Sequence, residues 1–144
     1  MRVDFETDVG VVRSSNQESC DCGLFSPNSA WAIVCDGMGG ANGGNVASAL
    51  AVETIREEVL SGFDEKMSKQ NLKNLMVNAI NRANERVHET ALAQPELHGM
   101  GTTVVLLIAT KGTLHVAHIG DSRAYLRHNG VLTQITMDHS YVQD

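Results

Sequence analysis

Five of the chain's thirteen glycines crowd into eight positions, Gly37 to Gly44, directly behind the apolar run Ala30-Trp31-Ala32-Ile33-Val34-Cys35 and a single acid, Asp36. A run of that length reads as a strand covered on both faces, and it ends abruptly at Asp36-Gly37. A carboxylate at the end of a buried strand is held on a rigid support at a sheet rim. Glycines behind it let the backbone approach a ligand, or take up positive φ, without a side-chain clash. Such a rim offers a carboxylate and an adjacent carbonyl to a hard divalent cation, Mg²⁺ or Mn²⁺. A glycine-rich turn carrying a solvated aspartate is the plainer alternative.

Glycine-rich loops that cradle phosphates are excluded by the neighbouring residues. A Walker loop over Gly39 to Gly44 requires Lys and Ser/Thr next, where Asn45 and Val46 stand. A dinucleotide fingerprint starting at Gly37 requires Gly or Ala at position 42, which is Asn42. Cysteine-dependent phosphate chemistry is excluded too. Six positions after Cys20, Cys22 and Cys35 come Ser26, Asn28 and Ala41, none of them arginine. Three cysteines are too few for a disulfide framework, so they read as reduced thiols.

The rest of the chain changes period twice. Val3 and Phe5 alternate with polar neighbours, Cys22 to Phe25 suit a second strand, and Pro27-Asn28-Ser29 suits a turn. Behind the glycines, Val46, Ala47, Leu50, Ala51, Ile55 and Val59 form one helical stripe that stops at Ser61-Gly62. A second helix starts near Ser68, keeps three-four spacing from Leu72 to Ala91, and closes at Pro95. From Thr103 the pattern is extended again: Thr103 to Ala109, a Lys111-Gly112 turn, then Thr113 to Ile119. Ala124 to Arg127 and Val131 to Ile135 flank Asn129-Gly130, the strongest two-residue hairpin signal. Strands, two helices and an antiparallel meander argue an α+β fold in layers, not a parallel βαβ array.

Gly120-Asp121-Ser122-Arg123 repeats the logic of the first rim: an acid in a tight break after an apolar strand. Two strand ends of one layered core can converge, although Asp121 capping a turn explains the same residues. Arg13, in the polar loop Gly10 to Glu18, has the planar fork that suits phosphate, and Glu18 ends that loop. His115 and His118 are three apart on a strand, point to opposite faces and cannot share a metal.

Seventeen acidic and eleven basic residues leave a net charge of −6, which disfavours nucleic acid and anionic lipid as partners. No apolar run approaches the ~20 residues of a membrane helix. The start, Met1-Arg2-Val3-Asp4-Phe5-Glu6, lacks the basic-then-apolar order of a signal peptide, so the expected location is the cytoplasm.

Together these segments resemble the metal-dependent protein phosphatases of the PP2C (PPM) family, bacterial branch. The residues that carry the resemblance are Gly10 to Glu18, Ala32 to Gly40, Gly99-Met100-Gly101-Thr102-Thr103, His118 to Tyr125 and Leu132 to Ser140, five blocks in family order. The resemblance implies an α-β-β-α sandwich of two antiparallel sheets flanked by helices. It also implies hydrolysis of phosphoserine and phosphothreonine on proteins by a metal-activated water, without a phosphoenzyme. By the same resemblance Asp36 bridges two Mn²⁺ or Mg²⁺ ions, the Gly37 carbonyl joins the second, and Glu18 binds through water. Arg13 holds the phosphate, and Asp121 serves a third ion. Thr102 and Thr103 are supports of the rim. Met38 stands where animal members carry a histidine.

The family's remaining aspartates lie in a second Asp-Gly and a late Asp-Asn motif. Here Asp-Gly occurs once and Asp-Asn not at all. Residues 1–144 are therefore expected to be the N-terminal part of a single PP2C-like domain, without the flap and closing strands, and to have little activity alone. Phosphorylated proteins, an opposing Ser/Thr kinase and self-association through unpaired sheet edges are the expected partners. Two other readings stand beside this one: a non-catalytic phosphoprotein-binding or partner-completed module, and a generic α+β binding domain whose rim aspartates are structural.

Overall fold

In the computed structural model, which describes residues 17–39, 43–120, 124–135 and 142–143, the apolar run lies inside the main sheet. Strands β1 (Glu18–Ser26) and β2 (Ser29–Met38) form a hairpin around Pro27-Asn28. Helices α1 (Gly43–Gly62) and α2 (Lys69–Ala93) come next, then a short 3-10 turn at Pro95–Leu97. β3 (Gly101–Thr102), β4 (Val104–Thr110), β5 (Thr113–Ile119), β6 (Tyr125–His128), β7 (Val131–Gln134) and β8 (Val142–Gln143) complete the order. The main sheet runs β1-β2-β4-β5-β8 with β3 also on β2, and its strand pairs are antiparallel. β6 and β7 form a separate two-stranded sheet.

Local chemistry accounts for the breaks. Ser68 caps α2, its side chain accepting from the Asn71 N–H at 3.1 Å, and Pro95 lies just beyond the last turn. Lys111 and Gly112 (φ 53° and 71°) turn β4 into β5, and Asn129 and Gly130 (φ 51° and 78°) turn β6 into β7. Paired positive φ is the signature of the tight hairpin turn whose twist suits the flanking strands.

The two sheet faces have different fates. Trp31, Ile33 and Cys35 of β2, Leu106 and Ile108 of β4 and Ala117 of β5 face the helix pair and form one core with Ala51, Ile55, Met76 and Ile80. Residues of the opposite parity, Val105 and Val116, pack beneath Ala124 and Ile135, so the β6–β7 hairpin covers only the β4–β5 half of the second face. Val34 on the uncovered half is 43 % exposed.

Three expectations are corrected here. β2 is covered on one face along its β1 side, because the described residues place nothing over Val34. β2 also continues past Asp36 to Met38, because Gly37 and Met38 pair with Thr102 and Gly101. β1 begins at Glu18 rather than Cys22, since pairing with β2 holds polar residues in the ladder. Among the described residues, helices, main sheet and hairpin sheet represent three of the implied four layers. The strand read at Val3 and Phe5 lies outside the described residues.

Candidate metal centre

The strand registers bring three polar positions into one transverse row. Glu18 pairs directly with Asp36 across β1 and β2. On the other side of β2, Gly37 pairs with Thr102 and Val34 with Val105, a single register that puts Thr103 opposite Asp36. Directly paired residues of antiparallel strands project to the same face. Glu18 and Asp36 therefore stand side by side at the end of the sheet, on the face away from the helices.

Asp36 is anchored through its peptide. Its N–H donates to Thr103 Oγ1 at 3.2 Å, and its carbonyl accepts from the Thr103 N–H at 2.9 Å. Thr103 is itself buried, so this clasp is dry, where a hydrogen bond is strongest. The carboxylate oxygen Oδ1 of Asp36 is shielded from solvent, whereas Glu18 is exposed. A half-buried acid beside an exposed one, both carrying only oxygen, matches the preference of hard cations.

Gly37 closes the strand against α1. Its N–H donates to the Gln17 carbonyl at 2.9 Å, and a Cβ on it would fall 2.7 Å from Gly44 Cα. A Cβ on Gly44 would in turn meet the Gln17 side-chain oxygen at 2.5 Å and the Gly37 carbonyl carbon at 2.9 Å. The glycine cluster thus lets two backbones touch, and that touch sets where the strand end points. Gly39 at φ 143° then turns the chain away.

Gly120 reaches the same end of the sheet. It follows β5, one step beyond the Val104–Ile119 pair, and a Cβ on Gly120 would meet Thr103 Cγ2 at 2.8 Å. Gly120 thus extends the row of Glu18, Asp36 and Thr103. Asp121 and Arg13 themselves lie outside the described residues. Among the described residues, no group of three His, Cys, Asp or Glu side chains is placed to hold a metal ion. Two acidic side chains and the Gly37 carbonyl are what the described part of the rim contributes.

Burial disfavours the thiolate at Cys35 and Cys20. Burial pushes the Cys35 thiol up to about 12, only partly offset by a hydrogen bond from Thr102, with Cys20 adding to the rise. Burial also raises Cys20, aided by Cys22, Asp21 and Glu18. All three cysteines are free thiols. His115 pairs with Ile108 and His118 with Val105, positions of opposite parity, so the two rings lie on opposite faces as expected. Gln17 and Gly44 escaped the sequence reading. The only trace of their role was the second half of the glycine cluster.

Fold and rim together define a layered α+β domain with an acidic, glycine-backed sheet end. The family described as Protein phosphatase 2C matches residues 10–142, and the chain belongs to that family. It is 33 % identical over 144 residues to the serine/threonine phosphatase stp of Listeria welshimeri, covering all of this chain and 57 % of that protein. It is 34 % identical over 143 residues to the serine/threonine protein phosphatase PstP of Mycobacterium tuberculosis, covering 99 % of this chain and 26 % of that one. Among solved structures, Stp1 of Staphylococcus aureus superposes with a TM-score of 0.82 at 30 % identity, covering 93 % of this chain and 52 % of that one. The PstP catalytic domain in complex with two manganese ions superposes with a TM-score of 0.76 at 34 % identity, covering 92 % and 54 %. The chain thus spans 57 % of the length of the stp relatives it matches.

Proposed function

We propose that this chain supplies the N-terminal half of a metal-dependent phosphatase that hydrolyses phosphoserine and phosphothreonine on proteins. The observation that carries the reading is the Glu18–Asp36 pair at the sheet end, beside Gly37. Asp36 and the Gly37 carbonyl would hold Mn²⁺ or Mg²⁺ directly and Glu18 through water, with Asp121 serving a third ion. When bound, the ions supply an acidified water and offset phosphoryl charge. Arg13 would bind and orient the phosphate through its planar fork. Manganese is supported by the relative solved with two manganese ions. Magnesium and the third ion rest on the family resemblance.

Residues 1–144 contain neither the second Asp-Gly nor the Asp-Asn motif. A centre with so few protein carboxylates keeps mostly water ligands and binds weakly, so the isolated chain has little activity. Phosphoproteins, including an opposing Ser/Thr kinase, are the substrates this reading supplies. Cytoplasm is the matching location, and no helix among the described residues is long and apolar enough to cross a membrane.

The test is thermal unfolding under Mn²⁺ titration. Specific binding stabilises the fold by mass action, by about 2.7 kcal/mol at a hundredfold excess over Kd, and so raises the melting point. Asp36→Asn is expected to abolish that rise and leave the metal-free melting point nearly unchanged. A rise of the same size in Asp36→Asn refutes the assignment. Turnover of p-nitrophenyl phosphate with Mn²⁺ at the rate of intact relatives would refute the expectation of weak activity.

One observation favours a second reading, a non-catalytic or partner-completed module. Leu24 and Val34 on the open half of the sheet, and Leu126 and Leu132 on the hairpin, are 43–66 % exposed. Apolar surface of this kind marks association through the unfinished layer. A monodisperse monomer in light scattering argues against it.

A further inference from the structure

Glu18 stands on the strand least able to hold a position by itself. Among the described residues β1 is the edge of the main sheet, with β2 on one side only. Its helix-facing side chains are nevertheless tied one after another to α1 or to Phe63, the residue just past its end. Ser19 and Ser48 share a hydrogen bond at 2.9 Å, with Ser48 fully buried and bonded on to the Asn45 carbonyl at 3.3 Å. Asp21 Oδ2 accepts from Arg56 Nη1 at 2.6 Å, while Asp21 Oδ1 accepts from the Cys22 N–H at 2.8 Å. Phe25 stacks on Phe63, ring centroids 3.8 Å apart. The same helix, through Gly44, abuts Gly37 on the other strand of the site.

We infer that α1 is the common ruler of the site, locating Glu18 against Asp36 and Gly37, with Ser48 and Arg56 as positioning residues. The inference rests on the proposed metal centre for its consequence, though not for its geometry. The Arg56–Asp21 pair is partly exposed, with 38 % and 28 % of the side chains accessible, so its Coulomb attraction is screened. What it provides is a fixed address for the strand three residues from Glu18.

Charge and position make opposite predictions for Arg56. Removing a cation near an acidic rim favours Mn²⁺ by electrostatics alone. Loosening the strand that carries Glu18 weakens it. Mn²⁺ binding to the 144-residue chain is read by the electron paramagnetic resonance of free Mn²⁺, at a temperature where circular dichroism shows every variant folded. Arg56→Gln and the uncharged change Ser48→Ala are each expected to raise Kd roughly threefold to tenfold, up to the lower end of the effect of outer-shell partners of metal ligands. Arg56→Lys restores most of the affinity. Amide exchange at 18–22 without metal is expected to quicken in both variants while that of β4 stays unchanged.

Equal or tighter Mn²⁺ binding in Arg56→Gln, with unchanged exchange at 18–22, overturns the inference and leaves the metal reading standing. Should Arg56→Gln fail to fold, Ser48→Ala carries the same test. No saturable Mn²⁺ binding by the unmodified chain overturns the metal reading itself. The exchange rates then still decide whether α1 holds β1.

Discussion

Gly37 and Gly44 meet backbone to backbone, with a built Cβ on Gly37 falling 2.7 Å from Gly44 Cα and nearer still to its carbonyl oxygen. The contact joins the end of β2 to the first turn of α1. It also explains why an acid at this sheet end is followed by so many glycines. The acid needs a strand to stand on, and the strand end needs a helix close enough to brace it.

Gly37→Ala therefore forces backbone apart at the buried junction of β2 and α1. The expected loss is about 3 kcal/mol or more, in the range reserved for overpacking and strain at buried positions. Urea unfolding followed by circular dichroism reads it. Gly112→Ala is the control: Gly112 has φ 71° but nothing within 4 Å of its Cβ position, so only the backbone penalty of ~1 kcal/mol applies. Equal losses in the two variants would show that the Gly37–Gly44 approach is not what constrains the site.

Thr103 holds Asp36 with both its backbone and its hydroxyl. Thr103→Val keeps the shape and the backbone bond and deletes the acceptor for the Asp36 N–H. A buried donor left unmatched costs about 1–3 kcal/mol. Thr103→Ser, which retains the oxygen, is expected to lose less than half as much. If Val and Ser prove equally destabilising, the methyl group rather than the hydroxyl is the support.

Cys35 makes stability depend on alkaline pH. Its folded-state value, about 12, lies above its ordinary value of 9.0 because burial disfavours the thiolate. The unfolded chain releases this proton first. The contribution is therefore fully present below pH 9 and lost as pH rises from about 9 toward 12, a window of three pH units and roughly 4 kcal/mol. The difference in unfolding free energy between wild type and Cys35→Ala should shrink steadily from pH 8.5 to 11. A constant difference across that range contradicts the assignment. Below pH 8.5 neither protein should show a slope from this group.

Much of the fold was legible in the chain itself. The stripe from Leu72 to Ala91, capped by Ser68 and stopped by Pro95, specified α2 with its correct buried face, because three-four spacing has one reading at that length. Lys111-Gly112 and Asn129-Gly130 specified their turns, because few residues tolerate positive φ. Period alone misplaced the ends of β2 and the start of β1. A strand boundary is set by its partner: Gly101–Thr102 draws β2 on to Met38, and β2 draws β1 back to Glu18.

The candidate site divides along the same line. Asp36 and Gly37 stood out as candidates from type and context, since oxygen donors next to glycines suit hard cations, whereas Glu18, between Gln17 and Ser19, entered only through the family resemblance. That Glu18 and Asp36 face each other, that Thr103 clasps one peptide and that Gly44 braces the next are facts of register and packing between segments up to 67 residues apart. Local sequence encodes which residues can act, because side-chain chemistry and backbone preference are local. Only the closed sheet against its helix decides which of them act together, because proximity across strands comes from pairing partners that no single segment contains.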